Sequence, residues 1–138
     1  MTGLLTQERA RRGAQLVGWT RIAFGAAFTV APSSTARPWI GVAANSVGGK
    51  LMTRSMGARD ALLGVGLLRA LQNEDDTSAA NWLAYGVAAG VVDSLATVAA
   101  YRSLSRTGRA FLAFITSAMV GDALLSRAVA AQRPTRRE

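Results

Sequence analysis

The chain has 138 residues, enough for one domain, and half of it is apolar, in long blocks rich in Ala and Gly. It contains no Cys and no His, which excludes disulfides, thiolate chemistry, zinc sites built on these residues and haem held by imidazole. The net charge of +8 suits nucleic acid, but the Arg residues flank apolar blocks without interleaved aromatics, so we expect membrane flanks and no nucleic-acid partner.

The first apolar block covers about residues 13–31 and ends at Pro32. Its length matches the roughly 20 residues that a helix needs to cross the hydrocarbon layer. The segment 31–38 contains two prolines with Ser and Thr between them, which predicts a loop. Three basic residues precede the block and predict a basic N-terminal tail: Arg9, Arg11 and Arg12.

The second block covers about residues 51–71 and stops at an acidic turn, 72–76. It carries four charges: Arg54, Arg59, Asp60 and Arg69. Such a helix either spans the membrane, shielded by its neighbours, or lies at the interface. We predict that it spans, because two paired helical hairpins leave no orphan hydrophobic face.

The third block covers about residues 79–101, and Thr77 or Ser78 is the expected N-cap of its helix. A basic turn separates it from the fourth block, about residues 110–131. The remaining tail is polar, and its Arg residues predict a second basic flank: Arg133, Arg136 and Arg137. None of the blocks shows the period-2 alternation of barrel strands.

These blocks predict an all-α fold, a four-helix transmembrane bundle with up-and-down connections, in one membrane domain over residues 1–138. Four crossings place both termini on the same side. The bias of Arg towards the cytoplasm then predicts a multi-pass protein of the inner (cytoplasmic) membrane with both termini cytoplasmic.

Each block carries an ionisable residue near its middle: Arg21, Asp60, Asp93 and Asp122. A charge at the centre of a bilayer costs about 2.5–3.5 kcal/mol even on lenient insertion scales, so these side chains are expected to face the bundle interior. Helical heights make an Arg21–Asp60 or an Arg21–Asp122 pair feasible. Arg59 is the second cation, but its Cβ direction differs by about 100° from that of Asp60, which predicts that these two side chains do not pair.

Small residues share the helix faces of most of these charges, as expected where helices approach closely in lipid. Six glycines are the predicted packing positions: Gly18 and Gly25, Gly57 and Gly64, and Gly86 and Gly90. Two hypotheses follow for the charged residues. They either form a buried Arg–Asp network that fixes helix register, or the three Asp residues form a proton or ion path.

Two short segments resemble those of a known group of proteins: Trp19-Thr-Arg-Ile-Ala-Phe-Gly25 and Met56-Gly-Ala-Arg-Asp-Ala-Leu-Leu-Gly64. The turn at Pro32 and the later Asp93 also fit this group. Over its first two-thirds the chain resembles small uncharacterised actinobacterial four-helix membrane proteins with a Gly-Ala-Arg-Asp motif. More distantly, its plan is similar to that of DoxX-like proteins. The resemblance implies the architecture and brings no established activity or catalytic residue.

No nucleophile–base constellation or phosphate loop is present in the sequence, so we expect no enzyme activity, no cofactor and no metal. The first functional hypothesis is an accessory or structural subunit of a larger membrane complex, with other membrane subunits, lipid or further copies of itself as partners. Its motivation is the three Arg residues of block two that point off the Asp60 face. The alternative is a small transporter or proton-conducting bundle that uses the intramembrane Asp residues.

Overall fold

The structure is a computed structural model and describes residues 2–131, with the side chains of residues 7–131. These residues form helices and no strand, so the prediction of an all-α fold is confirmed. The α-helices are α1 (Thr2–Val30), α2 (Pro32–Ile40), α3 (Val47–Gln72), α4 (Asp76–Ala99) and α5 (Arg106–Ala130), with short 3-10 turns at Gly41–Asn45 and Tyr101–Ser103. The predicted basic residues Arg133, Arg136 and Arg137 lie outside the described residues.

Helix α1 begins well before the predicted block at residue 13. Its first turns contain Leu, Gln, Glu, Ala and Arg, which have high helix propensity although they are not apolar enough to mark a span. Arg9, Arg11 and Arg12 therefore lie on a helix, and the expectation of a separate N-terminal tail was wrong.

The segment 31–38, predicted as a loop, is helical as part of α2. Pro32 occupies the start of this helix, where its fixed φ suits the first turn and its missing N–H costs no hydrogen bond. Trp39 is 5% exposed and Ala36 is fully buried, so packing holds the segment against the long helices. The helix ends at Gly41, whose φ of 62° is the conformation that glycine adopts most easily.

Helix α4 is capped by Asp75, two or three residues before the predicted Thr77 or Ser78. The Asp75 carboxylate accepts the Ser78 backbone N–H at 2.9 Å and the Ser78 hydroxyl at 2.6 Å. These hydrogen bonds lower the pKa of the Asp75 carboxyl below its usual value. Asp is a preferred N-cap because its oxygens satisfy the free N–H groups of the first turn.

The four long helices run up and down, with α1 packed along α3 and α4 packed along α5. The start of α1 and the end of α5 share one end of the molecule, where a compact apolar core includes Ala14, Leu67, Leu83 and Val129. Arg11 reinforces this end: it donates to the Asp76 carboxylate at 2.9 Å and to the Leu71 carbonyl at 2.8 Å. The second contact satisfies a carbonyl of the last turn of α3, which has no partner inside its own helix.

Two pairs of glycines form the closest approach between α1 and α3. A Cβ atom added to Gly25 would lie 2.5 Å from the Gly57 carbonyl oxygen, and one added to Gly57 would lie 2.6 Å from that of Gly25. One added to Gly64 would likewise lie 2.5 Å from the Gly18 carbonyl oxygen. Both backbones are therefore in direct contact at two levels, one heptad apart, and no larger residue fits there.

Large apolar side chains point outwards on all four long helices. Trp19 on α1, Leu62 on α3, Leu95 on α4 and Leu124 on α5 are each more than half exposed. Helices α4 and α5 are long and apolar enough to cross a membrane, and only 17% and 11% of their most apolar stretches are buried. The core helix of a soluble protein would be mostly buried. Helices α4 and α5 are mostly exposed, which makes them candidate membrane spans.

We predict that Gly25→Ala and Gly57→Ala each lower the free energy of unfolding by about 1–3 kcal/mol, because the added methyl group forces α1 and α3 apart. The measurement is thermal unfolding of the purified protein followed by circular dichroism. Gly121→Ala in α5 is the matched control, since a Cβ there meets nothing within 4 Å. It should keep or raise stability, by up to about 1 kcal/mol through helix propensity. Equal effects of all three substitutions would contradict the close contact.

Candidate functional site

A cavity of about 330 Å³ lies between the four long helices, and each of them contributes side chains to its lining. One part of the lining is apolar, with Phe24, Phe28, Phe114 and Met119 among its residues. The other part is charged, and it contains all five residues that the sequence marks as intramembrane charges: Arg21, Arg59, Asp60, Asp93 and Asp122. The structure therefore brings these residues together at one site.

Arg21 of α1 contacts carboxylates from two other helices. One guanidinium nitrogen donates to Asp122 of α5, a side chain that is 3% exposed. The other donates to Oδ1 of Asp60 on α3 at 3.4 Å. Both contacts that the helical heights make feasible are thus present, and Arg21 links α1, α3 and α5.

Gly86 of α4 lies directly beside the Arg21–Asp122 pair. A Cβ added to Gly86 would overlap a guanidinium nitrogen of Arg21 and would lie 2.8 Å from Oδ2 of Asp122. Gly86 was predicted as a helix-packing position. In the structure, its missing side chain leaves room for the ion pair between Arg21 and Asp122. Gly90, one turn further, lies against Met119 of α5, with 3.2 Å from its added Cβ to the Met119 Cβ.

Arg59 of α3 binds Asp93 of α4 through two parallel hydrogen bonds, at 3.1 and 2.7 Å. It also donates to Oδ1 of Asp60 at 3.3 Å, so the prediction that Arg59 and Asp60 do not pair was wrong. The reason is the reach of the Arg side chain, which bends back along the helix although the two Cβ directions diverge. The Nε of Arg59 is buried and has no acceptor among the described residues.

The contacts form a chain in which Asp60 is central. Arg21 and Arg59 each have a carboxylate of their own, Asp122 and Asp93, and both also contact the same oxygen of Asp60. Within the described part of the chain, Oδ2 of Asp60 has no hydrogen-bond partner. Three carboxylates thus face two guanidinium groups, which leaves an excess of one negative charge when all are ionised. That excess falls on Asp60.

The aromatic wall of the cavity was not predicted. Phe24 lies 5.8 Å from Phe114 and 6.3 Å from Phe28, measured between ring centroids. A signal was available, since Phe24 and Phe28 stand three and seven residues after Arg21 and therefore share its helix face. The prediction for that helix face named the glycines and did not include the aromatic rings.

The exposed part of the cavity lining lies on the side of the bundle. The apolar core packs next to one end of the cavity, and α2 packs next to the other, where Trp39 stacks on Phe111 at 5.3 Å between ring centroids. The exposed lining residues are found on α1 and α5: Leu16 is 69% exposed, Phe24 41% and Phe114 50%, and Ala118 is also exposed. The mouth of the cavity therefore lies between α1 and α5, along the second half of α1 and the first half of α5.

Comparisons with protein-family models, with curated proteins and with solved structures find no match for this chain. The resemblance to actinobacterial and DoxX-like proteins stays a prediction. Within residues 2–131, no group of three or more carboxylates is arranged to hold a metal ion. What the site does must therefore be argued from its own geometry.

We predict that Asp122→Asn lowers the free energy of unfolding by about 3 kcal/mol, because it leaves the buried Arg21 guanidinium without its close partner. Asp60→Asn should change it by less than about 1 kcal/mol, because its contacts are long and the substitution removes the excess charge. Chemical unfolding of the two variants in detergent checks this order. Glu8→Gln, which removes an exposed pair with Arg12, is the control and should have little effect. A larger loss for Asp60→Asn than for Asp122→Asn would contradict the assignment of the excess charge.

Proposed function

We propose that the chain is an integral membrane protein whose helices α1, α3, α4 and α5 all cross the bilayer, and that its cavity is the proton-binding site of a small transporter. The observation that carries the proposal is the imbalance of three Asp and two Arg residues in one cavity between the four long helices. Asp60 is the proton-binding residue, while Asp93 and Asp122 hold the two guanidinium groups in place.

The distribution of side chains supports four spans. In α1 and α3, Arg21, Arg59 and Asp60 lower the hydropathy, yet all three point into the bundle, while Trp19 and Leu62 point out of it. Lipid-facing surfaces require apolar residues, whereas the interior of a membrane bundle tolerates charges that are paired. Helices of 29 and 26 residues extend about 44 and 39 Å, more than the roughly 30 Å of hydrocarbon.

The net charge of the site supports the proposal that it binds a proton. In an environment of low dielectric constant, an uncompensated carboxylate is costly, and the site is neutral only when one carboxyl group carries a proton or when a cation is bound. Asp60 is the least compensated of the three, because both of its guanidinium contacts are long and shared. A carboxyl group that exchanges a proton for another cation is the basic component of proton-coupled transport.

The location follows from the same arrangement. The start of α1, with Arg9 and Arg12, lies at the same end as the close of α5. The bias of Arg towards the cytoplasm favours a position in the cytoplasmic membrane with both of these ends inside. Lipid is then the partner that covers most of the outer surface.

The test is infrared difference spectroscopy of the protein reconstituted in lipid. At neutral pH we expect the C=O stretch of one protonated carboxyl group, which disappears in Asp60→Asn and persists in Asp75→Asn, whose carboxylate is exposed at a helix end. The absence of a protonated carboxyl in the unaltered protein, or its persistence in Asp60→Asn, would contradict the proposal.

The second candidate is an accessory subunit of a larger membrane complex, or a homo-oligomer. A shallow groove on the outer face of α5, with the small exposed residues Ala113 and Ser117 four positions apart, favours a partner helix there. The Arg residues of α3, which first suggested a partner protein, give weaker support. Arg59 is paired inside the bundle, and Arg54 donates to the Thr29 carbonyl at 3.3 Å. Stoichiometric membrane proteins purified with the chain would favour this candidate, and a monodisperse monomer would contradict it.

A further inference from the structure

The geometry points to an amphipathic organic monocation as the ligand of this cavity, one that enters sideways from the lipid between α1 and α5 and displaces the proton of Asp60. The inference rests on the proposed function and adds the class of ligand and its route. It is built on three independent features: the position of the mouth, the sign of the free charge and the chemistry of the wall.

The mouth of the cavity lies on the side of the bundle. Core residues pack next to one end of the cavity, and Trp39 with Phe111 packs next to the other. Two exposed residues of the lining lie well inside their helices, Phe24 six residues before the end of α1 and Phe114 eight residues after the start of α5. In a bilayer this level corresponds to hydrocarbon, so a ligand that reaches the mouth must first partition into the lipid.

The uncompensated negative charge of the site favours a cationic ligand. Both guanidinium groups already bind carboxylates, Arg59 through two parallel hydrogen bonds, so neither is free to bind an anion. Two carboxylate oxygens of the lining have no hydrogen-bond partner among the described residues, Oδ2 of Asp60 and Oδ1 of Asp122, and only Asp60 lacks a close guanidinium contact through its other oxygen. One positive charge on the ligand neutralises the site, and a second would create a new excess in the membrane interior.

The wall selects an apolar body next to that charge. Phe24, Phe28 and Phe114 present rings that bury apolar groups, and their faces also attract a cation within about 6 Å. A volume of about 330 Å³ lies at the lower end of the range for small-molecule sites, so the ligand is compact. An aryl or short alkyl ammonium ion combines these properties.

Binding is coupled to proton release because proton and cation neutralise the same carboxylate. When the monocation arrives, the Asp60 carboxyl group gives its proton to water, and the charge of the site stays constant. Each ligand bound therefore releases one proton, and low pH competes with binding.

The experiment uses the whole chain in nanodiscs made of lipids without an amine headgroup, with benzyltrimethylammonium as the probe. Its neutral carbon isostere, 3,3-dimethyl-1-phenylbutane, and the anion benzylsulfonate are the matched controls. Calorimetry in buffers of different ionisation enthalpy measures both affinity and protons released. We expect binding of the cation alone, with one proton released for each cation bound.

Asp60→Asn should weaken binding by at least about tenfold and abolish proton release, because it removes a charge-assisted contact. Asp60→Glu should retain both, which separates loss of charge from loss of fold. Equal binding of the neutral isostere, preferential binding of benzylsulfonate, or unchanged affinity in Asp60→Asn would overturn the inference. If the infrared signal of protonated Asp60 is present and no probe binds, the inference fails while the proposed function stands.

The route has its own test at the mouth. Ala118→Phe places a bulky ring in the opening on α5 and should slow association of the probe about tenfold or more, with the infrared signal of Asp60 unchanged. Ala113→Phe, on the outer face of the same helix, is the control and should leave association unchanged. Equal association rates in the two variants would overturn the lateral route.

Discussion

The structure depends on the pairing of charges inside an apolar bundle. Arg21 and Arg59 lie in interior turns of their helices, and each pairs with carboxylates on neighbouring helices. Arg21 connects α1 to α3 and α5, and Arg59 connects α3 to α4. These three interhelical contacts constrain the height and rotation of every long helix. Packing alone would leave such settings free, because Ala-rich surfaces slide easily past one another.

The same constraint explains why small residues lie beside the charged site. A guanidinium–carboxylate pair occupies the space between helices only where a neighbour has no side chain, as at Gly86. Between α1 and α3, Gly25 and Gly57 bring the backbones into contact, which lets Arg21 reach Asp60 with its long side chain. Several large apolar residues lie on the outer surface, among them Trp19, Leu62 and Leu95. The cavity is the space that remains between these two tightly packed pairs of helices.

Much of this could be predicted from hydropathy and helical spacing. The four long helices and the residues of the charged site follow from apolar blocks and a period of 3.6 residues. Helix α2 could not, since Pro38 and a polar composition resemble a loop, and only the burial of Trp39 against α5 makes it helical. The Arg59–Asp60 contact was missed because Cβ directions say little about a side chain with four rotatable bonds. The cavity was missed because empty space has no signature in a sequence.

The central claim is that α3 crosses the membrane although it carries the charges of the site. The chain has no Cys, so single cysteines can be introduced without a background. Leu62→Cys lies on the outer face of α3, where Leu62 is 68% exposed, and Glu74→Cys lies in the turn after it. In permeabilised membrane vesicles, a charged maleimide should label Glu74→Cys and leave Leu62→Cys unlabelled until the lipid is removed with a denaturing detergent. Labelling of both cysteines at the same rate would place α3 in water and contradict the account.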